Sequence, residues 1–307
     1  MTLAIVLLCA IVAVLAMDIT IKRVYSYSRK PHEITPEDFG IPYEEVHIPT
    51  ANNRQLYGWW IPANCESSRP GATLILAHGW GRNVERMLPY VRNLHPKGYN
   101  LLAFDLRGHG SSDRDAYPNM LKFSEDIRAA VDYLVTLAPE YSVCIGVLGL
   151  SVGGGAAIHA AAVDERIRVA VTVGAIAHPV DVMRTEFTKR HVPYYPVGWL
   201  MLNYLQIRMG VNFDRIAPVS VIPRAQAKIL LIHGDRDMVV PVGEARRLLS
   251  AGASDAVHLW IVPDKGHSDC NEHPGFWERV GSFFQDSFPA NSSSGEVRQA
   301  ATKLLDE

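Results

Sequence analysis

The 307-residue chain lacks an excess of charge of either sign. Lysine and arginine number 30 and aspartate and glutamate 32, which gives a formal net charge of −2. Proteins that bind nucleic acids usually carry a basic excess on one face, and this balance gives no sign of one. Apolar residues make up 48% of the chain and charged residues 20%, as is typical of a globular protein with a substantial core. The composition therefore favours a folded domain without a nucleic-acid partner.

Cysteine is also scarce, with Cys9, Cys65, Cys144 and Cys270 as its four occurrences. No two of them have the Cys-x-x-Cys spacing, so the sequence predicts neither a zinc site nor a thioredoxin-like motif. Cys9 and Cys144 lie in apolar runs, which leaves a Cys65–Cys270 bridge as the one disulfide compatible with the pattern. Free thiols are the favoured interpretation.

Polar side chains are missing altogether from residues 3–17, and the apolar pattern continues past Asp18 to residue 21. About twenty residues cross a bilayer as a helix, so residues 1–21 are predicted to form an N-terminal membrane anchor. The alternative is a cleaved signal peptide followed by export, but the sequence has no Lys or Arg before the apolar stretch. Positive charges lie within residues 22–30, and the positive-inside rule then predicts a cytoplasmic catalytic domain.

The rest of the chain alternates between strand and helix patterns. A proline-punctuated linker covers residues 22–42, and the stretches 43–48 and 55–61 predict a hairpin with one exposed face. Short, nearly continuous apolar runs predict strands that are buried on both faces, at 73–77, 99–104, 143–150, 168–173, 228–232 and 257–262. Helical patterns lie between them, at 83–95, 119–137, 152–163, 241–250 and 272–287. The sequence therefore predicts a doubly wound, mostly parallel, eight-stranded α/β sheet over residues 43–288.

One connection between predicted strands is much longer than the others. Residues 175–227 contain six aromatic side chains, and a connection of this length usually carries its own structure or a function. We therefore predict a helical lid over about residues 177–226. Residues 289–307 are rich in small polar residues at their start and are expected to form a flexible tail.

The strongest chemical signal is the sequence Gly-Leu-Ser-Val-Gly at 149–153. It follows a predicted buried strand and precedes a helical run, which is the context of a nucleophile elbow. The chain must reverse sharply there, and the turn presents the Ser151 hydroxyl at the start of a helix whose dipole favours negative charge. Ser151 is therefore the predicted nucleophile, and a glycine-rich structural turn is the alternative.

A serine hydroxyl is a weak nucleophile unless a base takes its proton. The elbow predicts the chain order serine, acid, histidine. His267 is the predicted base because it lies in the loop after the last strand, where a side chain reaches the carboxyl edge of the sheet. His258 lies within that strand and His273 opens the final helix, so a structural role is favoured for both.

The acid that would orient this histidine is expected after the strand at 228–232. Asp235 and Asp237 both lie in the loop that follows. Asp237 is favoured because apolar residues follow it and would bury its contact with the imidazole. Asp264 is the remaining candidate.

Acyl transfer also needs hydrogen-bond donors for a developing oxyanion. The backbone N–H of Val152, which follows the nucleophile, is one predicted donor. The other is the N–H of Trp80, in the sequence His-Gly-Trp-Gly at 78–81. His78 is expected to brace this loop, and the Trp80 ring either lines an acyl pocket or packs on the core.

Five blocks together resemble the ordered motifs of the α/β-hydrolase superfamily, in particular its small esterase-like and peptidase-like members. They are His-Gly at 78–79, Asp-Leu-Arg-Gly-His-Gly-Ser-Ser at 105–112, the elbow at 149–153, His-Gly-Asp-Arg-Asp at 233–237 and Gly-His at 266–267. The resemblance implies the α/β-hydrolase fold over about residues 43–288. It also implies that the 105–112 block is a structural loop beside the active site, so Asp105, Arg107 and His109 are not expected to be catalytic.

These observations predict a serine hydrolase that cleaves carboxylic esters or related acyl bonds with Ser151, Asp237 and His267, through an acyl-enzyme. Neither a metal nor an organic cofactor is expected. The aromatic lid and the predicted anchor favour a hydrophobic acyl substrate such as a lipid. An aminopeptidase-like amide hydrolase is the first alternative. A noncatalytic binding protein on the same fold is the second, and the complete set of catalytic residue types argues against it.

Overall fold

A computed structural model describes residues 2–25, 29–63, 71–137, 139–253 and 255–288. Within these ranges the chain forms one eight-stranded sheet with the strand order β1-β2-β4-β3-β5-β6-β7-β8. The strands are β1 (Glu44–Thr50), β2 (Arg54–Ile61), β3 (Ala72–Ala77), β4 (Asn100–Phe104), β5 (Cys144–Leu150), β6 (Ile167–Val173), β7 (Lys228–Gly234) and β8 (Val257–Val262). β1 pairs with β2, and β2 with β4, in antiparallel register, and all other pairs are parallel.

Helices cover both faces of this sheet, which confirms the predicted fold class. The α-helices of the described residues are α1 (Thr2–Tyr25), α2 (Leu88–Leu94), α3 (Met120–Leu137), α4 (Val152–Val163), α5 (Pro179–Lys189), α6 (Trp199–Met209), α7 (Phe213–Ile216), α8 (Pro218–Val221), α9 (Gly243–Ala251) and α10 (Phe276–Ser287). Four of them, α5 to α8, lie in the long connection between β6 and β7, which we call the β6–β7 insertion (residues 174–227).

Alternation along the strands divides the core into two layers. In β3, Ile75 belongs to the cluster that includes residues of α3 and α4. Its neighbours Leu74 and Leu76 belong to the other cluster, with residues of α2 and α10. Because successive side chains of a strand point to opposite faces, a strand covered by helices on both sides must be apolar at every position. All six residues of β3 are buried, and five of them are apolar, which explains the nearly continuous apolar run in the sequence.

The 105–112 block forms a loop whose charged residues are buried. The guanidinium of Arg107 is fully buried and donates hydrogen bonds to Asp126, Asp115 and Glu125. A buried charge is tolerated only when it is paired and hydrogen-bonded, and removal of one partner costs about 3–5 kcal/mol. This loop therefore provides a rigid wall beside the carboxyl edge of the sheet.

A short N-terminal segment fastens onto this same loop. Arg29 donates from Nε to the carbonyl oxygen of Gly110 (2.9 Å) and from Nη2 to that of Ser112 (2.6 Å). The His32 imidazole contacts the buried Asp105 carboxylate through Nε2 at 2.8 Å and stacks on Tyr57. The predicted linker thus includes residues that pair with the domain, which its polar composition did not indicate.

The N-terminal helix α1 also contacts the domain. Asp18 accepts hydrogen bonds from the hydroxyls of Tyr117 and Tyr204, both at 2.9 Å. Ile21 is 1% exposed and packs in a cluster with residues of the β6–β7 insertion, among them Leu205. The carboxyl-terminal part of α1 is therefore part of the folded domain.

In the residues that the structure describes, no helix is both long enough and apolar enough to cross a membrane. The transmembrane helix predicted for residues 1–21 is therefore not supported. Its prediction rested on hydropathy alone and placed Asp18 near a lipid interface, whereas Asp18 pairs with protein hydroxyls. The cytoplasmic location stays a prediction.

Two other predictions concern the thiols and the C-terminal tail. Cys144 and Cys270 are buried free thiols. Cys65, the other half of the candidate disulfide, lies outside the described residues, as does the predicted tail at 289–307.

The contact between His32 and Asp105 predicts pH-dependent stability. Burial alone would lower the pKa of His32, but the hydrogen bond and charge of Asp105 outweigh burial and raise it. The protonated imidazole therefore adds stability that is fully present below the unfolded-state pKa of about 6.5 and is lost as the pH rises through the higher folded-state pKa. We expect His32→Gln to lower the free energy of unfolding by about 1 kcal/mol at pH 5.5 and by less at pH 8.5.

Urea denaturation of wild type and variant across this pH range measures the difference. The matched control is His47→Gln, since His47 is exposed and also contacts the Tyr57 ring. A His32→Gln effect that does not change with pH would contradict the charged pairing.

Candidate active site

Ser151 lies in a strained turn between β5 and α4. Its backbone has φ 55° and ψ −118°, in the left-handed range that residues with side chains rarely adopt. Its N–H donates to the carbonyl oxygen of Val173 on β6 at 2.8 Å, which fixes the turn to the sheet. A methyl group on Gly149 would lie 2.3 Å from the carbonyl oxygen of Gly153, so position 149 has no room for a side chain in this turn. This is the geometry that the 149–153 motif predicts.

The structure brings Ser151, His267 and Asp237 together. Ser151 Oγ lies 3.0 Å from His267 Nε2, and His267 Nδ1 lies 2.7 Å from Asp237 Oδ2. A carboxylate can only accept, so Nδ1–H donates to Asp237, and Nε2 is left as the acceptor for the serine hydroxyl. This is the tautomer in which an imidazole can take the proton of Ser151.

The Asp237 carboxylate is held by hydrogen bonds at both oxygens. Oδ1 accepts from the backbone N–H groups of Val239 and Val240, each at 2.8 Å, and Oδ2 accepts from His267. Burial alone would raise the pKa of this carboxyl, but hydrogen bonds from His233, His267 and Val240 outweigh burial and hold the pKa below its ordinary value. Asp237 therefore stays ionised and keeps one orientation.

His233 is a contact of Asp237 that the motif alone did not reveal. Its Nε2 lies 3.3 Å from Asp237 Oδ2 and 2.7 Å from the carbonyl oxygen of Val240, and its ring is buried. The available signal was its position as the penultimate residue of β7, four residues before Asp237. A histidine there can point back into the loop that carries the acid.

The competing residues lie away from this arrangement. Asp235 and Asp264 are exposed, and Asp264 forms an ion pair with Arg236. The ring of His258 contacts Phe283, and that of His273 contacts Trp260. Packing contacts of this kind are those expected for structural histidines.

The loop at 78–81, which we call the oxyanion loop, lies directly against the elbow. A methyl group on Gly79 would lie 3.3 Å from the Cβ of Ser151, and one on Gly153 would lie 2.3 Å from the carbonyl oxygen of His78. Val152 is the first residue of α4, where backbone N–H groups have no partner within the helix. The backbone of the oxyanion loop and the first residue of α4 therefore border Ser151.

The Trp80 ring packs against the core. Its centroid lies 5.4 Å from that of His109 and 5.8 Å from that of Phe123. Of the two interpretations that the sequence left open for this ring, these contacts favour packing.

The aromatic residues of the β6–β7 insertion differ in exposure. Phe187 and Phe213 are buried in a cluster with Leu202 and Leu205. Tyr195 is 69% exposed and Trp199 44% exposed.

No group of three His, Cys, Asp or Glu side chains that could hold a metal ion occurs in the described ranges.

Comparison with known proteins gives the same fold. The sequence family described as serine aminopeptidase S33 matches residues 68–208. A crystal structure of an esterase from Pyrococcus furiosus is 27% identical, covers 86% of this chain and 100% of its own, and superposes with a TM-score of 0.69.

Curated relatives match at similar identity. A monoacylglycerol lipase of Mycolicibacterium smegmatis is 26% identical over 252 residues, which cover 71% of this chain and 88% of that protein. An uncharacterized protein of Mycobacterium tuberculosis is 27% identical over 234 residues, or 73% of this chain and 72% of that protein. Fold, site and relatives agree, and the chain is an enzyme of the α/β-hydrolase superfamily.

Proposed function

We propose that the enzyme is a serine hydrolase that cleaves carboxylic ester bonds through an acyl-enzyme on Ser151. The observation that carries the proposal is the continuous hydrogen-bonded chain from Ser151 Oγ through His267 to the buried Asp237 carboxylate, at 3.0 and 2.7 Å. Its order along the sequence, serine then acid then histidine, is that of α/β-hydrolase triads.

The proposed reaction has two halves. His267 Nε2 takes the Ser151 proton while Oγ forms a bond to the ester carbonyl carbon, and the N–H groups of Trp80 and Val152 stabilise the oxyanion. The imidazolium then gives its proton to the departing alkoxide as the carbon–oxygen bond breaks. In the second half His267 takes a proton from water as the water oxygen bonds to the acyl carbon, and the imidazolium returns this proton to Ser151 Oγ as the Oγ–carbon bond breaks and the acid leaves. Asp237 stabilises the imidazolium in both halves.

The proposed substrate is hydrophobic in its acyl part. Large apolar side chains are exposed on the β6–β7 insertion, including Tyr195, Trp199, Leu200 and Ile207. Exposed apolar surface of this kind commonly marks a site of apolar ligand or membrane contact. The similarity to a monoacylglycerol lipase supports a lipid-like ester.

Amide hydrolysis is the second candidate, and the match of residues 68–208 to the serine aminopeptidase family favours it. Ester and amide hydrolysis use the same triad, so substrates must separate them. We expect turnover of medium-chain p-nitrophenyl esters and none of aminoacyl p-nitroanilides. The reverse preference would favour the peptidase.

Covalent labelling tests the nucleophile. A fluorophosphonate probe is expected to label the wild-type protein at Ser151, because the activated hydroxyl attacks its phosphorus. Ser151→Ala should abolish labelling, whereas Ser250→Ala, which removes an exposed hydroxyl of α9, should not. A folded wild-type sample that does not label would contradict the hydrolase.

Replacement of the acid tests its assignment. Asp237→Asn keeps an acceptor for the Val239 and Val240 N–H groups but loses the charge beside His267, so kcat is expected to fall by about 10⁴-fold while the protein stays folded. Asp264→Asn is the matched control, because it removes an exposed carboxylate from a neighbouring loop, and its kcat is expected to stay near the wild-type value. If Asp264→Asn is instead the damaging change, Asp237 is not the acid. Ester kinetics and thermal denaturation of both variants make the comparison.

A further inference from the structure

Two buried imidazoles join the oxyanion loop to the 105–112 loop, one contributed by each loop. His78 belongs to the oxyanion loop, and its Nε2 lies 3.0 Å from the backbone nitrogen of Leu106. His109 belongs to the 105–112 loop, and its Nε2 lies 3.0 Å from the backbone nitrogen of Gly81. The two rings are 5.4 Å apart. Each loop therefore contributes one imidazole that binds the backbone of the other.

The backbone partners fix the tautomer of both rings. A backbone N–H can only donate, so Nε2 of each imidazole must be unprotonated and accept. Nδ1–H is then the donor, from His78 to the carbonyl oxygen of Gly79 at 2.7 Å and from His109 to that of Arg107 at 3.2 Å. Each ring can make both of its bonds only while it is neutral.

The surroundings keep both rings neutral. Burial lowers the pKa of His109 to about 4, and the neighbouring His78 ring contributes to the shift. Burial also lowers the pKa of His78, against the opposing charge of Asp105. His32, which contacts the other oxygen of Asp105, has its pKa raised instead by the hydrogen bond and charge of that carboxylate, against burial.

These bonds hold the two peptide groups on either side of Trp80. In a trans peptide the C=O and the following N–H lie in one plane and point in opposite directions. The bond from His78 to the Gly79 carbonyl therefore fixes the plane that carries the Trp80 N–H. The bond from the Gly81 N–H to His109 fixes the next plane, which carries the Trp80 carbonyl.

We propose that His78 and His109 are positioning residues that lock these two planes and so aim the Trp80 N–H at the developing oxyanion. This inference rests on the proposed function, since it concerns the same reaction. The lock matters because Gly79 and Gly81 lack side chains and Gly81 has φ 68°, and a glycine backbone by itself permits rotation of the adjoining peptides. Rotation of the Gly79–Trp80 peptide would turn a carbonyl oxygen toward the oxyanion and replace attraction by repulsion.

Asparagine and glutamine can remove these bonds one atom at a time. The amide of Asn reaches the position of Nδ1 in histidine, and that of Gln reaches the position of Nε2. His78→Asn therefore keeps a donor for the Gly79 carbonyl, and His109→Gln keeps an acceptor for the Gly81 N–H. His78→Gln and His109→Asn lose these bonds and keep the bonds to Leu106 and Arg107 instead.

Ester kinetics of the four variants form a crossed test. We expect His78→Gln and His109→Asn to lower kcat by about 10-fold or more, up to the 10²–10³-fold that loss of a whole oxyanion donor costs. KM should change by less than about twofold, because the substrate carbonyl gains its charge only in the transition state. His78→Asn and His109→Gln should retain most of the activity, and thermal denaturation reports whether each pair is equally stable.

Inhibition by a trifluoromethyl ketone supplies a second measurement, the Ki, which would not change if the two histidines only stabilised the fold. Its adduct with serine resembles the tetrahedral intermediate, so Ki is expected to rise in parallel with the loss of kcat/KM. If the losses of kcat among the four variants correlate with their thermal stability, and not with the hydrogen bond that each variant removes, the inference is overturned. So would wild-type kcat and Ki in a folded His109→Asn variant.

A measurement on the wild-type protein tests the inference even if the variants do not fold. Nitrogen-15 spectra of labelled histidine distinguish the two tautomers, and His78 and His109 are expected as neutral Nδ1–H forms at pH 5.5. An Nε2–H or a charged ring at either residue would overturn the lock. A wild-type protein that neither hydrolyses esters nor labels at Ser151 would instead contradict the proposed function.

Discussion

The site depends on a close backbone approach between the elbow that carries Ser151 and the oxyanion loop after β3. Gly153 leaves no room for a side chain beside the His78 carbonyl, and Gly79 lies against the Ser151 side chain. β3 and β5 are parallel neighbours in the sheet, so their carboxyl ends emerge side by side. The register of this pair sets the distance between the nucleophile and the loop, and the glycines allow the two backbones to approach each other this closely.

Most of the fold could be predicted from the sequence because local pattern and burial agree. Every residue of β3, β4 and β5 is buried, so each strand forms a nearly continuous apolar run in the sequence. The elbow and the loop after β7 could be placed because their glycines and polar residues follow such runs directly. The predicted assignments of Ser151, His267 and Asp237 rested on chain order, and parallel strands place such loops at one edge.

The contacts that could not be predicted join residues far apart in the chain. His32 contacts Asp105, and Asp18 accepts hydrogen bonds from Tyr117 and Tyr204. The spacing of apolar residues along the sequence does not indicate these pairings. The N-terminal prediction rested on hydropathy, which does not record the hydroxyls that bind Asp18. His233 escaped notice for a related reason, since its role follows from the fold of the loop after β7.

Neighbouring histidines show how the surroundings shift the pKa of one residue type in opposite directions. His32 faces the Asp105 carboxylate and binds a proton more readily than in water, whereas His78 and His109 face backbone N–H groups and bind one less readily. A neutral imidazole both donates and accepts, which lets it join two backbone segments that a lysine or a carboxylate could not join. The oxyanion loop has such a group on each side, since His78 binds the Gly79 carbonyl and His109 binds the Gly81 N–H.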